Sequence, residues 1–508
     1  MMIYLDTRDP AMPQNHKETN LQPTVELLQF RDELRTSLKQ RPDAILALVD
    51  ALSSNTTAKS VVELSLNPCF GHQFTSVYDA IDNFFPSSPP DSVAEQRREK
   101  EMELMRMCVS YLPEPVQRNF WLFGLDVTPA PRPYARTLAD RSCVYQPTPV
   151  RSNKPITYGH QYAALVYFPE KTSTSSPPWV VPLSIRRLQS DEKATTVHAQ
   201  QIKALLSQET FPWHDRLSVV VADSTLSAVT FLGPVTPLRN LVTIARTRCN
   251  RVFYQRPMPI PGAVQKGHPR WYGARFALKD KNTWTPPDLG DVISITTRRG
   301  RPLRVEIKAW HNLLMRGTRE YPMHNHPLTL IRIDVTDATF KPVFRRPMWL
   351  TVIGESRAQL SLKAIWEAYR MRYDEEHFFR FGKFLNPDLS GQKLLTTAYQ
   401  TPDVEHSENW WQITQLAYVQ LWLARDLAIS LPKPWERNLP QFKTGEASPS
   451  MVQRDFGRII QQIESTPYLP KRRGKSPGRA KGNCPKRRER HKVIRKGKSA
   501  KKTLKSAA

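Results

Sequence analysis

Two short apolar runs that each end in an aspartate decide the fold. The first is Phe120-Trp-Leu-Phe-Gly-Leu-Asp126 and the second is Leu217-Ser-Val-Val-Val-Ala-Asp223. Near-continuous apolar runs of this length are typical of strands that are covered on both faces of a sheet. A charged residue at the end of a buried strand is costly without a partner. Each aspartate is therefore either a functional acid or an ordinary cap of the turn or helix that follows it.

Further strand-like runs predict that these two belong to a mixed α/β sheet. They are Tyr162–Phe168, Trp179–Ile185 and Leu241–Arg246, with a polar helical stretch at about 192–207. The resulting order, β-β-β-α-β-α-β, does not suggest a purely doubly wound fold. Pro182 interrupts the third run, which predicts an edge strand because proline cannot donate a hydrogen bond to a β-ladder.

Composition and periodicity divide the whole chain into five regions. Residues 1–90 are predicted to be an N-terminal helical region that closes with a Pro/Ser-rich breaker. Residues 91–248 hold the first part of the sheet core, residues 249–355 are a β-rich insertion, and residues 356–432 return to helix as the second part of the core. Residues 433–508 are predicted to be a C-terminal extension that loses periodicity and ends in a disordered basic tail.

The net charge of +27 indicates a polyanionic partner, for which nucleic acid is the default. Lys471–Ala508 holds 17 Lys/Arg against the single acid Glu489, so this tail carries +16 and the rest of the chain +11. The polar N-terminus and the polar residues within 410–431 argue against a signal peptide and a membrane span. Five scattered cysteines without a CxxC pair argue against a disulfide framework or a zinc ribbon, and they fit a reducing, cytosolic setting.

Helical geometry selects a third carboxylate, Glu376, from three adjacent acids. At about 100° per residue, four side chains fall within about 60° of arc: Tyr369, Arg372, Glu376 and Lys383. Asp374 falls on the opposite side and Glu375 falls outside this arc. Such a stripe is most often a solvated charged face. A carboxylate surrounded by Tyr, Arg and Lys also suits a metal site that binds phosphates.

With this spacing the sequence resembles the DDE transposases of bacterial insertion sequences, in the cyanobacterial-type group marked by a Tyr-x2-Arg-x3-Glu-x6-Lys signature. The resemblance covers roughly 112–430 and implies a ribonuclease-H-like catalytic core with a β-rich insertion. It implies that Asp126, Asp223 and Glu376 are catalytic and hold two Mg²⁺ ions, with Mn²⁺ as a substitute. It also implies a prokaryotic cytoplasmic, nucleoid-associated transposase that binds terminal inverted repeats of double-stranded DNA through region 1–90. Cleavage and strand transfer would then be carried out by a homodimer.

Several residues outside the acid set are expected to contact DNA. Tyr369, Arg372 and Lys383 are candidates for the phosphate backbone, as is Arg246 beyond the Leu241 strand. Trp349 is the candidate for stacking on a displaced base, although an ordinary core tryptophan explains it equally well. Two other classes stay open: a decayed or repurposed transposase that only binds DNA, and a basic structural protein that coats nucleic acid.

Overall fold

The computed structural model describes residues 21–85, 93–145, 155–173, 176–258, 270–297, 300–382, 398–429, 446–463, 468–469, 478, 480–484 and 487–495. Its α-helices are α1 (Leu21–Ser37), α2 (Pro42–Ser53), α3 (Phe74–Asp82), α4 (Val93–Val109), α5 (Ala194–Leu206), α6 (Val229–Val235), α7 (Leu362–Gly382), α8 (Val404–Leu423) and α9 (Pro449–Ile463). Its strands are β1 (Trp121–Pro131), β2 (Ser142–Tyr145), β3 (Ile156–Tyr167), β4 (Val181–Leu188), β5 (Ser218–Ala222), β6 (Leu241–Thr247), β7 (Val252–Tyr254), β8 (Arg275–Ala277), β9 (Leu289–Thr296), β10 (Pro302–Leu313), β11 (Leu328–Asp337) and β12 (Met348–Ile353).

The core sheet has β1 at its centre and the strand order β4-β3-β1-β5-β6. β1 runs antiparallel to β3 and parallel to β5, and β5 runs parallel to β6. The predicted mixed sheet is confirmed, and every residue of β5 is buried, as its apolar run predicts. Helix α5 packs on β3 and β4, whereas α7 packs on β1 and β5.

The edge position predicted from Pro182 is confirmed. Among the described strands β4 pairs with β3 alone, and the pairing register shifts between Leu165 and Val166, opposite Pro182. A bulge at this point accommodates the missing N–H of proline. The short strand β2 was not predicted, because its four residues lack an apolar run; it pairs with the first residues of β3.

The β-rich region does not stand apart from the core sheet. β9, β10, β11 and β12 form an antiparallel meander, and β12 pairs antiparallel with β6, so the core sheet continues into these strands. Within the region predicted to be a β-rich insertion, the strand-like runs at 303–309, 329–335 and 347–353 correspond to β10, β11 and β12. This continuity holds the meander rigidly beside the carboxyl end of β5.

The N-terminal helices pack against α8 through a buried polar network. Arg31 donates to both carboxylate oxygens of Asp50 and to Gln420 Oε1 at 3.0 Å, and Gln420 Nε2 donates to Asp50 Oδ1 at 2.9 Å. Gln420 Nε2 also donates to Ser53 at 3.2 Å. A buried charge pair with its hydrogen bonds satisfied fixes the relative positions of α1, α2 and α8.

The C-terminal extension contains more structure than the sequence interpretation allowed. Residues 449–463 form α9, with Val452, Phe456 and Ile459 buried at helical spacing. Within the tail that was expected to be disordered, residues 491–495 contact β2 and the loop before it, and Ser142 and Ile494 form a parallel bridge. Helix α9 departs from the loss of periodicity expected past Pro432, and the bridge at Ile494 departs from the disorder expected past Lys471. No helix in the described ranges combines the length and apolar composition needed to cross a bilayer.

Candidate active site

Two aspartates from neighbouring parallel strands begin the site. The last paired residues of β1 and β5 are Leu125 and Ala222, so Asp126 and Asp223 follow them at the same end of the sheet. Neighbouring strands lie about 4.8 Å apart, which brings the two aspartates side by side. Asp223 accepts from Thr225 N at 2.8 Å and Thr225 Oγ1 at 3.2 Å, so it also caps the turn after β5. The capping and functional interpretations of Asp223 are therefore compatible.

Helix α7 supplies the remaining acids and the central arginine. Its residues Ile365, Ala368, Arg372, Glu375 and Phe379 recur at the three- and four-residue spacing of one helical face. Four of them are buried, and Arg372 is mostly buried, because this face packs on β1 and β5. The face carries Arg372 and Glu375 directly over the ends of the two strands.

Arg372 joins the first aspartate to the helix. Its Nη1 donates to Asp126 Oδ2 at 3.1 Å and its Nη2 donates to Glu376 Oε1 at 3.2 Å. Burial raises the pKa of Asp126, although the Arg372 charge opposes this. Burial works to lower the pKa of Arg372, but Asp126 and the neighbouring acids outweigh it and raise that pKa overall. Arg372 is thus a permanent cation that separates two of the expected catalytic carboxylates.

Glu375 is a functional candidate that the helical-wheel argument set aside. Its side chain is 0% exposed, and neither carboxylate oxygen has a hydrogen-bond partner in the described structure. It lies over Gly124 of β1, where a Cβ would stand 2.9 Å from Glu375 Oε2. Burial raises the pKa of Glu375 well above its usual range, and Asp126 adds to this. The signal was present in the sequence, since Glu375 continues the apolar spacing of Ile365, Ala368 and Phe379.

The other polar residues of this helix segment differ in whether they lie at the site. Glu376 keeps a third of its side chain exposed and also approaches Arg380 Nη2 at 3.5 Å. Asp374 is buried and paired with Lys171 at 2.6 Å. Burial raises the pKa of Tyr369, and the nearby charges of Arg372 and Arg246 oppose this. Lys383 lies outside the described residues.

A groove of about 1200 Å³ opens beside this cluster. Its walls are α7, the end of β6 and the meander strands β9 to β12, and its cationic lining includes Arg118, Lys171, Arg246, Arg370 and Arg372. Of these cations Arg246 and Arg370 are exposed, and guanidinium groups next to carboxylates along a groove are suited to binding phosphate groups.

Trp349 does not line this groove. It is 2% exposed, with its ring centroid 5.2 Å from that of Trp284 and 5.7 Å from that of Trp310. The Arg332 guanidinium covers Trp284 and Trp349. The expected stacking role therefore finds no exposed ring face in this structure, because the indole fills an aromatic cluster between β10 and β12.

The chemistry of the donor set fits a hard divalent cation. Asp126, Asp223, Glu375 and Glu376 offer only oxygen ligands, which Mg²⁺ and Mn²⁺ prefer. The unpartnered, fully buried oxygens of Glu375 also suit a cation nearby. Within the described residues, however, no three His, Cys, Asp or Glu side chains already converge as a metal site. The Arg372 guanidinium occupies the space between Asp126 and Glu376 and neutralises them instead.

A sheet end that gathers carboxylates and guanidinium groups beside a groove of mixed charge is suited to binding phosphate esters together with a cation. Residues 32–316 match the family of DDE superfamily endonucleases. This match spans more than half of the chain, so the chain belongs to that family. Asp126 and Asp223 lie inside the matched segment, whereas α7 lies beyond its end. No curated protein gives a significant match.

Family membership implies a nuclease- or transposase-type enzyme whose substrate is DNA. Enzymes of this superfamily generally use divalent metal ions.

Proposed function

We propose that this chain is a DNA transposase that binds terminal inverted repeats, cleaves at them and joins the resulting 3′-OH ends to target DNA. The observation that carries the proposal is the meeting of Asp126, Asp223 and the acids of α7 at one end of the sheet. The strand order β4-β3-β1-β5-β6, with β3 antiparallel, supports a ribonuclease-H-like core. The Tyr369, Arg372 and Glu376 spacing on one helix supports membership of the Tyr-Arg-Glu-Lys group.

Asp126, Asp223 and Glu376 are the residues that would hold Mg²⁺, two ions in the proposed mechanism. Bound there, the metal would activate the attacking water or 3′-OH and stabilise the leaving oxygen. Because Arg372 now holds both Asp126 and Glu376, its guanidinium would have to turn away for both to serve as ligands. Released, Arg372 is positioned to bind a phosphate at the same place.

Glu375 is the competing candidate for the third acid. It packs on Gly124 of β1, two residues before Asp126, but its carboxylate is enclosed, whereas Glu376 is partly exposed. In the proposal Glu376, which reaches the groove, is the ligand, and Glu375 lies behind it as a second carboxylate.

The remaining parts of the proposal concern the assembly and its setting. Helical region 1–90 would recognise the inverted repeats, and a homodimer would hold two ends of double-stranded DNA. The basic residues of the groove, Arg246 among them, would hold the backbone beside the acids. Such an enzyme would act at the nucleoid of a prokaryotic cytoplasm.

The test is strand cleavage on a duplex that carries the terminal inverted repeat, in Mg²⁺ and in Mn²⁺. Asp126→Asn, Asp223→Asn and Glu376→Gln should each lower the cleavage rate at least about 100-fold, because metal-held charge stabilisation is worth several kcal/mol and 1.36 kcal/mol is tenfold. Glu405→Gln, an exposed acid at the start of α8, is the matched control.

The pattern of losses separates the alternatives. Intact cleavage by folded Asp126→Asn and Asp223→Asn would overturn the proposal. Loss in Glu375→Gln with normal cleavage by Glu376→Gln would assign the third acid to Glu375. A wild-type chain that binds the repeat and cleaves in neither metal would be the decayed, DNA-binding transposase.

A further inference from the structure

Residues 491–495, at the end of the described C-terminal segment 487–495, lie along the outer edge of the core sheet. His491 N donates to Arg136 O at 2.9 Å and Ile494 N donates to Arg141 O at 2.8 Å. Arg141 Nη2 returns a hydrogen bond to His491 O at 3.3 Å. Arg495 Nη2 reaches the hydroxyl of Tyr158 at 3.3 Å. Together with the single parallel bridge between Ser142 and Ile494, these contacts hold residues 491–495 against the edge strand β2, in the manner of an extended segment that binds a free sheet edge.

The charges of the two segments make this pairing unusual. Five cations lie between Arg487 and Arg495, against the single acid Glu489, and all six charged side chains are exposed. The receiving segment contributes the exposed Arg136 and the buried Arg141. Burial lowers the pKa of Arg141 and the Arg136 charge lowers it further. Cations gathered in this way repel one another unless an anion lies between or beside them.

The position of the docked segment relates it to the acid cluster. β1 continues from Asp126 to Pro131 beyond the end of β5, Pro131 pairs with Gly159, and Gly159 pairs with Ser142. Five residues along a strand and two strand spacings amount to about 20 Å. One turn of B-DNA spans about 34 Å, so a single duplex can reach both places.

We propose that residues 487–495, docked on the β2 edge, form with Arg136 a fixed cationic surface that binds the backbone of double-stranded DNA, and that DNA binding and docking reinforce each other. The proposal rests on the proposed function for the kind of duplex, and it adds a defined second contact site. If the tail were only a flexible anchor, each of its cations would contribute equally to the affinity for duplex DNA. In the docked arrangement the cations of 487–495 contribute more than equal numbers elsewhere in the tail.

A charge-neutral pair of variants tests the docking. Ile494→Pro removes the N–H that donates to Arg141 O, whereas Leu504→Pro makes the same kind of change in a tail segment outside the described residues. Affinity for a generic duplex is measured without Mg²⁺ across a range of salt concentrations. Ile494→Pro should lower the salt slope by roughly 2–3, which corresponds to about three lost phosphate contacts. Leu504→Pro should match wild type, and equal effects of the two variants would overturn the proposal.

A charge-matched pair tests where the cations act. Arg490→Ala/Lys492→Ala/Arg495→Ala should weaken duplex binding more than Lys501→Ala/Lys502→Ala/Lys505→Ala. Equal weakening would mean a flexible anchor and would overturn the proposal. Equal sensitivity with single-stranded RNA of the same length would overturn the assignment of duplex DNA as partner. Cleavage plays no part in these assays, so failure of the proposed catalysis would leave their outcome interpretable.

A cysteine pair tests the coupling between docking and DNA. Arg495→Cys would sit opposite the native, exposed Cys143 in a Cys484→Ser background, with Lys481→Cys as the control. Duplex DNA should raise the rate of the intramolecular 143–495 disulfide several-fold and leave the control unchanged. A rate that DNA does not change would overturn the coupling. A disulfide formed only between two chains would overturn docking within one chain.

Discussion

Replacing Trp349 distinguishes a core residue from a base-stacking residue. The ring is almost fully enclosed by Trp284, Trp310 and Arg332. Burial of 150–250 Å² for an aromatic side chain at about 25 cal/mol per Å² amounts to about 4–6 kcal/mol. Truncation of a buried tryptophan to alanine costs about 3–5 kcal/mol in practice. We therefore expect Trp349→Ala to lose about that much free energy of unfolding, and Trp349→Phe to lose roughly 1–3 kcal/mol.

The assay combines urea unfolding with duplex binding by fluorescence anisotropy. Trp349→Phe should bind DNA as wild type once the folded fraction is accounted for, because the ring is buried in the aromatic cluster and presents no exposed face. Trp271→Phe is the matched control, since Trp271 is 45% exposed and stacks on His324 with ring centroids 4.3 Å apart. The reasoning is refuted if Trp349→Phe keeps wild-type stability and yet loses tenfold or more in DNA affinity.

Three further changes test packing and buried polar groups elsewhere in the fold and beside the site. Asp50→Ala should cost about 3–5 kcal/mol in urea unfolding because it leaves Arg31 charged and buried, whereas Arg31→Met/Asp50→Leu should recover most of this; a mild single variant would contradict the network. Burial lowers the pKa of His198 to about 4, so the stability it supports is complete above pH 6.5 and falls by about 3 kcal/mol as the pH drops to 4. His198→Gln should flatten that acid limb in unfolding measured against pH, and an unchanged limb would contradict the assignment. Gly124→Ala should cost about 1–3 kcal/mol in thermal unfolding, because its Cβ would meet the Phe168 ring at 2.5 Å; no loss would mean that the ring yields freely.

Patterns in the sequence were sufficient for the core sheet and insufficient for its edges. The apolar runs that end in Asp126 and Asp223 predicted two buried strands, and Pro182 predicted an edge strand. Each prediction rests on a strong local constraint on the backbone or on burial. Strand β2 has four residues of alternating exposure and no local signal of its own. Its residues become a strand because they pair antiparallel with residues 156–159 of β3, and this pairing exists only in the folded chain.

The ordered segments of the C-terminal extension were not predicted, and the reason is a different one. The composition of the extension outweighed two local signals, the helical spacing of Val452, Phe456 and Ile459 and the adjacent β-branched pair Val493-Ile494. A Lys/Arg-rich segment has too little apolar surface to fold alone, which is why composition predicts disorder. It can still be ordered where another element supplies the hydrogen-bond partners, as the β2 edge does.

The choice between Glu375 and Glu376 shows what a helical wheel alone does not determine, namely which side of the helix faces the sheet. The wheel grouped residues around Tyr369, and it correctly placed Arg372 beside Glu376, which the structure joins at 3.2 Å. It did not include the apolar neighbours Ile365, Ala368 and Phe379, which determine the side of α7 that faces the sheet. These three direct Glu375 inward and leave Glu376 at the groove wall, so adjacent acids have opposite surroundings. An enclosed acid without a hydrogen-bond partner is costly to keep. The packing of α7 over Gly124 would by itself favour an apolar side chain at this position, so cleavage by Glu375→Gln is the measurement that decides why the acid is there.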